Sequence, residues 1–172
     1  MGERRDCVAV DCEMVGIGFY GNGDMLARVS VVDERGGVLY DTFVAPQEKV
    51  VNYRTPVSGV RRQDLIGAPD FVTVQETVRK LIKDKILVGQ SIDHDLEVLD
   101  LDHPLDLIRD TAEYPPFFKY NRGRSPSLRK LAQVFLGRSI QRNEHSSIED
   151  ARAVMEIYQL NKVEWERRLS RR

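Results

Sequence analysis

Cysteine is nearly absent, with only Cys7 and Cys12 in 172 residues. The two stand five apart in one apparent strand, too distant and on opposite faces to bridge each other, which excludes an intramolecular disulfide framework. No apolar run approaches the ~18–20 residues that a membrane span requires, and the opening MGERRDC lacks the apolar stretch of a secretory signal. An intracellular chain without membrane attachment is expected. Charge of one sign is not in excess either: 26 basic and 27 acidic side chains give a formal net charge of −1. That balance argues against holding nucleic acid by bulk electrostatics, so an anionic substrate needs a local device. Internal repeats, low-complexity tracts and long Pro/Gly/Ser linkers are missing too. With 41% hydrophobic and 31% charged residues, the chain reads as one soluble globular unit, 1–172, with a core that buries roughly two-thirds of its surface.

Three strands are expected first, over 7–14 (CVAVDCEM), 25–33 (MLARVSVVD) and 38–46 (VLYDTFVAP), the last two joined by the tight ERGG turn. Short turns favour antiparallel neighbours. Residues 73–84 place Val74, Val78, Leu81 and Ile82 on one helical face, and 86–89 is an apolar run fit for a buried strand. A helix is expected from Asp93 and a further short strand over 107–111. Ser125 and Pro126 read as N-cap and first residue of a helix over 127–137, closed by Gly137. In the final helix Ser146 and Glu149 have capping-box spacing, and Ile148, Ala151, Met155 and Tyr158 recur at helical intervals to about Arg168. Three antiparallel strands followed by alternating helices and strands imply an α/β fold with a mixed sheet flanked by helices.

Side chains alternate along a strand, so Asp11 and Glu13 project to one side. Two neighbouring carboxylates at the end of an apolar strand are unfavourable unless a cation neutralises them, and a hard divalent ion such as Mg²⁺ prefers such oxygen ligands. A surface pair bridged to arginine is the plain alternative. Gly16, Gly18 and Gly21 also fit G-x-G-x-x-G, but a dinucleotide site needs those glycines to open a helix, and the segment that follows alternates like a strand. Downstream, Asp93, His94 and Asp95 fall where a buried strand gives way to a helix; periodicity does not choose between Asp93 and Asp95 as a further ligand, and either could merely stabilise the helix terminus. His145 precedes the last helix and Asp150 lies in its first turn. A carboxylate ligates metal, whereas a histidine can take a proton from water near neutral pH. Four acids and one histidine therefore suggest two-metal hydrolysis of a phosphodiester, with the bound cations also drawing phosphates to an acidic pocket.

DCEMVG at 11–16, VGQSIDHDLEVL at 88–99 and HSSIEDA at 145–151 resemble, in order and spacing, the three motifs of DEDDh-type 3′→5′ exonucleases. LARVSVV, LYDTFVAP, YRTPVSGV, LIRDT and SPSLRKL resemble the branch of RNA exonuclease 4 and the interferon-stimulated exonuclease, so the likeness covers about 6–168. The resemblance implies a ribonuclease H-like fold, metal ligation of two Mg²⁺ or Mn²⁺ ions by Asp11, Glu13, Asp95 and Asp150, and His145 as general base. It thus chooses Asp95 over Asp93. Gln90 stands where relatives often have His, and Ile92-Asp93 where a basic residue is common. Met14 and Arg54 are expected to contact the terminal nucleotide, Met14 by packing on its sugar or base and Arg54 through its fixed donor fork; an ordinary loop salt bridge is the alternative for Arg54. Residues 119–124, KYNRGR, mix charge with aromatic surface as single-strand binders do, or form a solvated loop. Arg167, Arg168, Arg171 and Arg172 suit the end of a helix, a nucleic-acid tail or nuclear signal being the alternative.

The expectation is a monomeric, nuclear and chiefly nucleolar 3′→5′ exonuclease domain, excised from a longer protein. It would release nucleoside 5′-monophosphates from single-stranded RNA, with single-stranded DNA as a second candidate. Two rivals are a nucleic-acid-binding module that keeps the fold, and a phosphodiesterase of small nucleotides.

Overall fold

A computed structural model describes residues 5–171. The N-terminal residues 1–4 and Arg172, the last of the expected basic helix end, lie outside the described residues. Five strands form one sheet in the order β3-β2-β1-β4-β5. β1 (Cys7–Ile17), β2 (Gly23–Asp33) and β3 (Val38–Phe43) are antiparallel neighbours, while β4 (Ile86–Gly89) and β5 (Ile108–Asp110) continue the sheet in parallel on the other side of β1. The mixed α/β architecture expected from the sequence is therefore present.

β1 is central and apolar on both faces, as a strand covered on both sides must be. Cys7 and Ala9 join the cluster under the C-terminal helix, and Val8, Val10 and Cys12 join the opposite one. The two cysteines are accordingly free and on different faces. After the one-turn helix α1 (Thr55–Ser58), α2 (Phe71–Ile82) and α3 (Ile92–Leu99) cover the second face through Val74, Val78, Ile82, Ile92, Leu96 and Leu99. Asp70 starts α2 by accepting the backbone N–H of Thr73 at 2.9 Å, a cap of about 1 kcal/mol. α4 (Leu128–Leu136) and α5 (Ser147–Leu169) cover the first face. There Trp165 stacks on Tyr114 with ring centroids 3.7 Å apart, and the buried Arg109 guanidinium is satisfied by both carboxylate oxygens of Glu166.

Three local expectations change. Ser127, not Ser125, caps α4, its hydroxyl accepting the N–H of Lys130, so Pro126 precedes the helix instead of opening it. Ser125 and Ser127 are interchangeable in pattern, but the cap falls where Leu128 and Leu131 first reach the core. Ser146 is the N-cap of α5 by backbone geometry, without the side-chain hydrogen bond that a capping box requires. Gly16, Gly18 and Gly21 lead into a three-residue 3-10 turn and then β2, which removes the dinucleotide alternative.

Candidate active site

The site forms where β1 outruns its parallel neighbour. Pairing with β4 ends at Ala9↔Val88, and among the described residues the next β partner on that edge is the isolated bridge Gly16↔Asn52, so the stretch between them is open. Asp95, in the first turn of α3, fills part of the gap by accepting the Cys12 backbone N–H at 3.0 Å. Asp95 is thereby buried against the strand that carries Asp11 and Glu13, while Asp93 and His94 are exposed. On the other face α5 brings Asp150, 2% exposed, to the same strand. The start of α5 is fixed by a buried hydroxyl pair, Ser147 to Ser30 at 2.7 Å, with Ser30 also donating to Asp41. A register shift between Glu13 and Met14 marks the strand as it leaves the site, and Met14 is half-buried.

All four carboxyls hold their protons more tightly than an ordinary carboxylate. Burial, then Asp95, Asp150 and Glu13 in turn, hold Asp11 well above the usual range. Burial and the charge of Asp150 push Glu13 up to about 8, against the pull of Arg28, its cross-strand partner. Asp95 also reaches about 8 through burial, although the bonds from Cys12 favour its charged form. Asp150 is raised by burial and held back by Gln141 and His145. Two buried oxygens, Oε1 of Glu13 and Oδ1 of Asp150, have no hydrogen-bond partner among the described residues. An unpaired buried oxygen in a nest of like charges is costly, and an all-carboxylate donor set suits a hard cation. Ligand atoms of Glu13, His145 and Asp150 lie within 4.8 Å of one another, so these residues could hold a metal ion. Asp11 and Asp95 border that group electrostatically.

His145 is 3.8 Å from Asp150 through Nδ1, and its side chain is 29% exposed, so water reaches it. Its backbone N–H donates to the carbonyl of Val57 at 2.7 Å. Arg54 is engaged in the β1–β2 loop, pairing with Asp24 at 2.6 Å and donating to the carbonyls of Gly21 and Gly23. Two contributors escaped the sequence reading. Gln141, at φ 54°, donates to Asp150 Oδ2 at 2.7 Å. Asp110, at the end of β5, accepts the N–H groups of Ser91 and Ile92 at 2.9 and 2.8 Å and so sets the start of the helix that carries Asp95. The acid ending LIRD was visible in the sequence as a strand-end carboxylate; nothing local marked Gln141.

A family model described as Exonuclease (RNase_T) matches residues 8–158. The chain belongs to this exonuclease family. The matched exonuclease segment spans all of the sheet but its first residue, Cys7, and all four site carboxylates. Among curated relatives, RNA exonuclease 4 of Cryptococcus neoformans is 50% identical over 165 residues, covering 96% of this chain and 40% of that protein. RNA exonuclease 4 of Homo sapiens is 46% identical over 165 residues, covering 96% and 39%. The chain thus spans about two-fifths of the length of these relatives. The solved Saccharomyces cerevisiae apo Pan2 pseudoubiquitin hydrolase-RNA exonuclease module, in complex with AAUUAA RNA, superposes with a TM-score of 0.79 at 27% identity, covering 94% of this chain and 29% of that one. The exonuclease family and its ribonuclease H-like fold agree with the resemblance read from the three motifs.

Proposed function

We propose that this exonuclease domain removes nucleoside 5′-monophosphates stepwise from the 3′ end of single-stranded RNA, with single-stranded DNA as an alternative substrate. The observation that carries the reading is the convergence of four proton-retaining carboxyls and one histidine at the open end of β1. Asp11, Glu13, Asp95 and Asp150 would hold two divalent ions, Mg²⁺ or Mn²⁺. Such ions supply charge stabilisation to the attacking and leaving oxygens of an in-line displacement. His145 accepts the proton of the attacking water, its side chain partly exposed to solvent and its Nδ1 near Asp150. Gln141 and the Val57 carbonyl keep Asp150 and His145 in mutual register. Met14 and Arg54 complete the set as contacts to the terminal nucleotide, Met14 by packing and Arg54 by exchanging its Asp24 partner for ribose or phosphate oxygens.

The domain, residues 1–172 with a core of about 6–168, is read as one monomeric unit of a longer protein, acting in the nucleus and chiefly the nucleolus. Support for the RNA substrate comes from the relatives named RNA exonuclease 4 and from the RNA-bound Pan2 module. None of the described helices is long and apolar enough to cross a membrane. Digestion of a 5′-labelled RNA strand with Mn²⁺ should give a ladder shortened one nucleotide at a time, and EDTA should stop it. A circular RNA should be spared. Binding without cleavage would favour the binding module, and cleavage restricted to dinucleotides would favour the small-nucleotide phosphodiesterase.

A further inference from the structure

The four site carboxyls attract cations and repel everything anionic that the cations do not reach, so the strand upstream of the cleaved bond needs its own positive partners. The chain segregates them. Over residues 114–143 there is no acidic residue, while Lys119, Arg122, Arg124, Arg129 and Lys130, then Arg138 and Arg142, are basic, in a molecule of net charge −1. Elsewhere on the surface cations are commonly matched, Arg167 and Arg168 both pairing with Glu164 and Arg61 with Glu144, and within the segment Arg138 pairs with Glu156. Arg122, Arg124 and Lys130 have no ion-pair partner among the described residues. These three, with Tyr120, line a depression of about 700 Å³ that contains no acid.

The depression is anchored to the site. β4 ends at Gly89 and its last pairing with β1, Ala9↔Val88, falls two residues before Asp11, so Gln90 directly follows the strand end beside the site. Gln90 donates to the Pro126 carbonyl at 3.0 Å and accepts from the Thr111 hydroxyl at 2.6 Å. It therefore ties the turn between Arg124 and Lys130 to the rim of the carboxylate cluster. The other end of the acid-free segment returns to the same cluster through Gln141 and Asp150.

We propose that Arg122, Arg124 and Lys130 form a track for the phosphates of a single strand upstream of its 3′ end, with Gln90 as the positioning residue that seats this track beside the site. The proposal rests on the exonuclease reading and specifies how its substrate is held. Cations without acidic partners recognise the phosphates of a sugar-phosphate backbone and not a base sequence, so the track serves any single strand.

The test compares wild-type protein with the Arg122→Ala/Arg124→Ala/Lys130→Ala variant on a strand of about twelve nucleotides and on a dinucleotide with the same 3′ end, across a salt series with Mn²⁺. On the long strand KM should rise about 10-fold or more, and the slope of log kcat/KM against log salt should flatten by about 2, near 0.7 for each lost phosphate contact on a single strand. The dinucleotide, whose one phosphodiester lies at the reacting centre, should be cut as before. The Arg122→Lys/Arg124→Lys variant should keep most of the wild-type salt slope, and Gln90→Ala should raise KM on the long strand without changing kcat on the dinucleotide. An unchanged KM and slope on the long strand, or equal losses on both substrates, overturns the track. If wild-type protein cuts neither substrate, the catalytic reading fails on its own. Fluorescence anisotropy of the labelled long strand then reads the same difference in salt slope, and its absence overturns the track separately.

Discussion

A carboxyl withdrawn from water keeps its proton unless a cation takes the proton's place, and Asp11, Glu13, Asp95 and Asp150 are all in that position. Asp11→Asn separates what the residue does for function from what it does for the fold. The amide fills the same volume without a charge, so it relieves the like-charge crowding around Glu13, Asp95 and Asp150. Digestion of RNA should fall by more than about 100-fold, the upper end of what losing even an outer partner of a metal ligand costs. In EDTA at pH 8 the same variant should melt at a higher temperature than wild type. Full digestion by Asp11→Asn would falsify the ligand assignment, whereas a lower melting temperature in EDTA would contradict the electrostatic account. The pair Asp11 and Glu13 was legible because a two-residue spacing on a strand fixes a common side. Asp95 was not separable from Asp93 by pattern, since the choice depends on which one meets the free Cys12 N–H, a contact made across 83 positions of sequence.

At the scale of elements, a short apolar run was read more closely than the ends of longer strands: β1 runs three residues past its expected end and β3 stops three short of it. β4 has the bounds expected of the apolar run 86–89, because four buried residues admit no polar boundary inside them. Ser127 displaced Ser125 as the cap of α4 because capping depends on backbone angles that two nearby serines do not reveal in sequence. Contacts between distant loops were wholly invisible. The clearest joins α1 to the segment that carries His145: Arg61 reaches both carboxylate oxygens of Glu144 at 3.0 and 2.5 Å and the Gly59 carbonyl at 3.0 Å. A β-carbon on Gly59 would come within 3.0 Å of the His145 carbonyl, so the two segments are in close contact. The pair is exposed, so its loss should scarcely move the melting temperature. Its consequence is positional: Arg61→Glu should lower kcat about 10-fold, since small displacements of a catalytic group carry large rate losses, while leaving KM nearly unchanged. The exchanged pair Arg61→Glu/Glu144→Arg should recover most of the rate. Failure of the exchange to recover it, in a protein that melts normally, would rule out this positional role.

For the whole molecule the same four carboxyls set how stability depends on pH. In the folded, metal-free state Glu13 and Asp95 give up their protons only near pH 8, whereas in the unfolded chain they do so near ~4. Between those values the folded state binds more protons than the unfolded one, so the slope of unfolding free energy with pH is negative and stability declines as pH rises. The window from about pH 7 to 8.5 isolates this effect. His103, whose burial lowers its proton affinity, acts below it, and unfolded-state thiols ionise only toward its upper end at ~8.5. One proton of difference across that window is worth at most about 2 kcal/mol, or roughly 4–8 °C in a chain of this size. Thermal melts in EDTA should therefore drop by several degrees from pH 7 to 8.5, and saturating Mn²⁺ should abolish the drop, because ligation favours the deprotonated carboxylates. Calorimetry at pH 7 in buffers of different ionisation enthalpy should show protons leaving as Mn²⁺ binds. A melting temperature in EDTA that climbs over this window, or metal binding without proton release, would mean that the cluster is already ionised and that something other than a cation balances its charge.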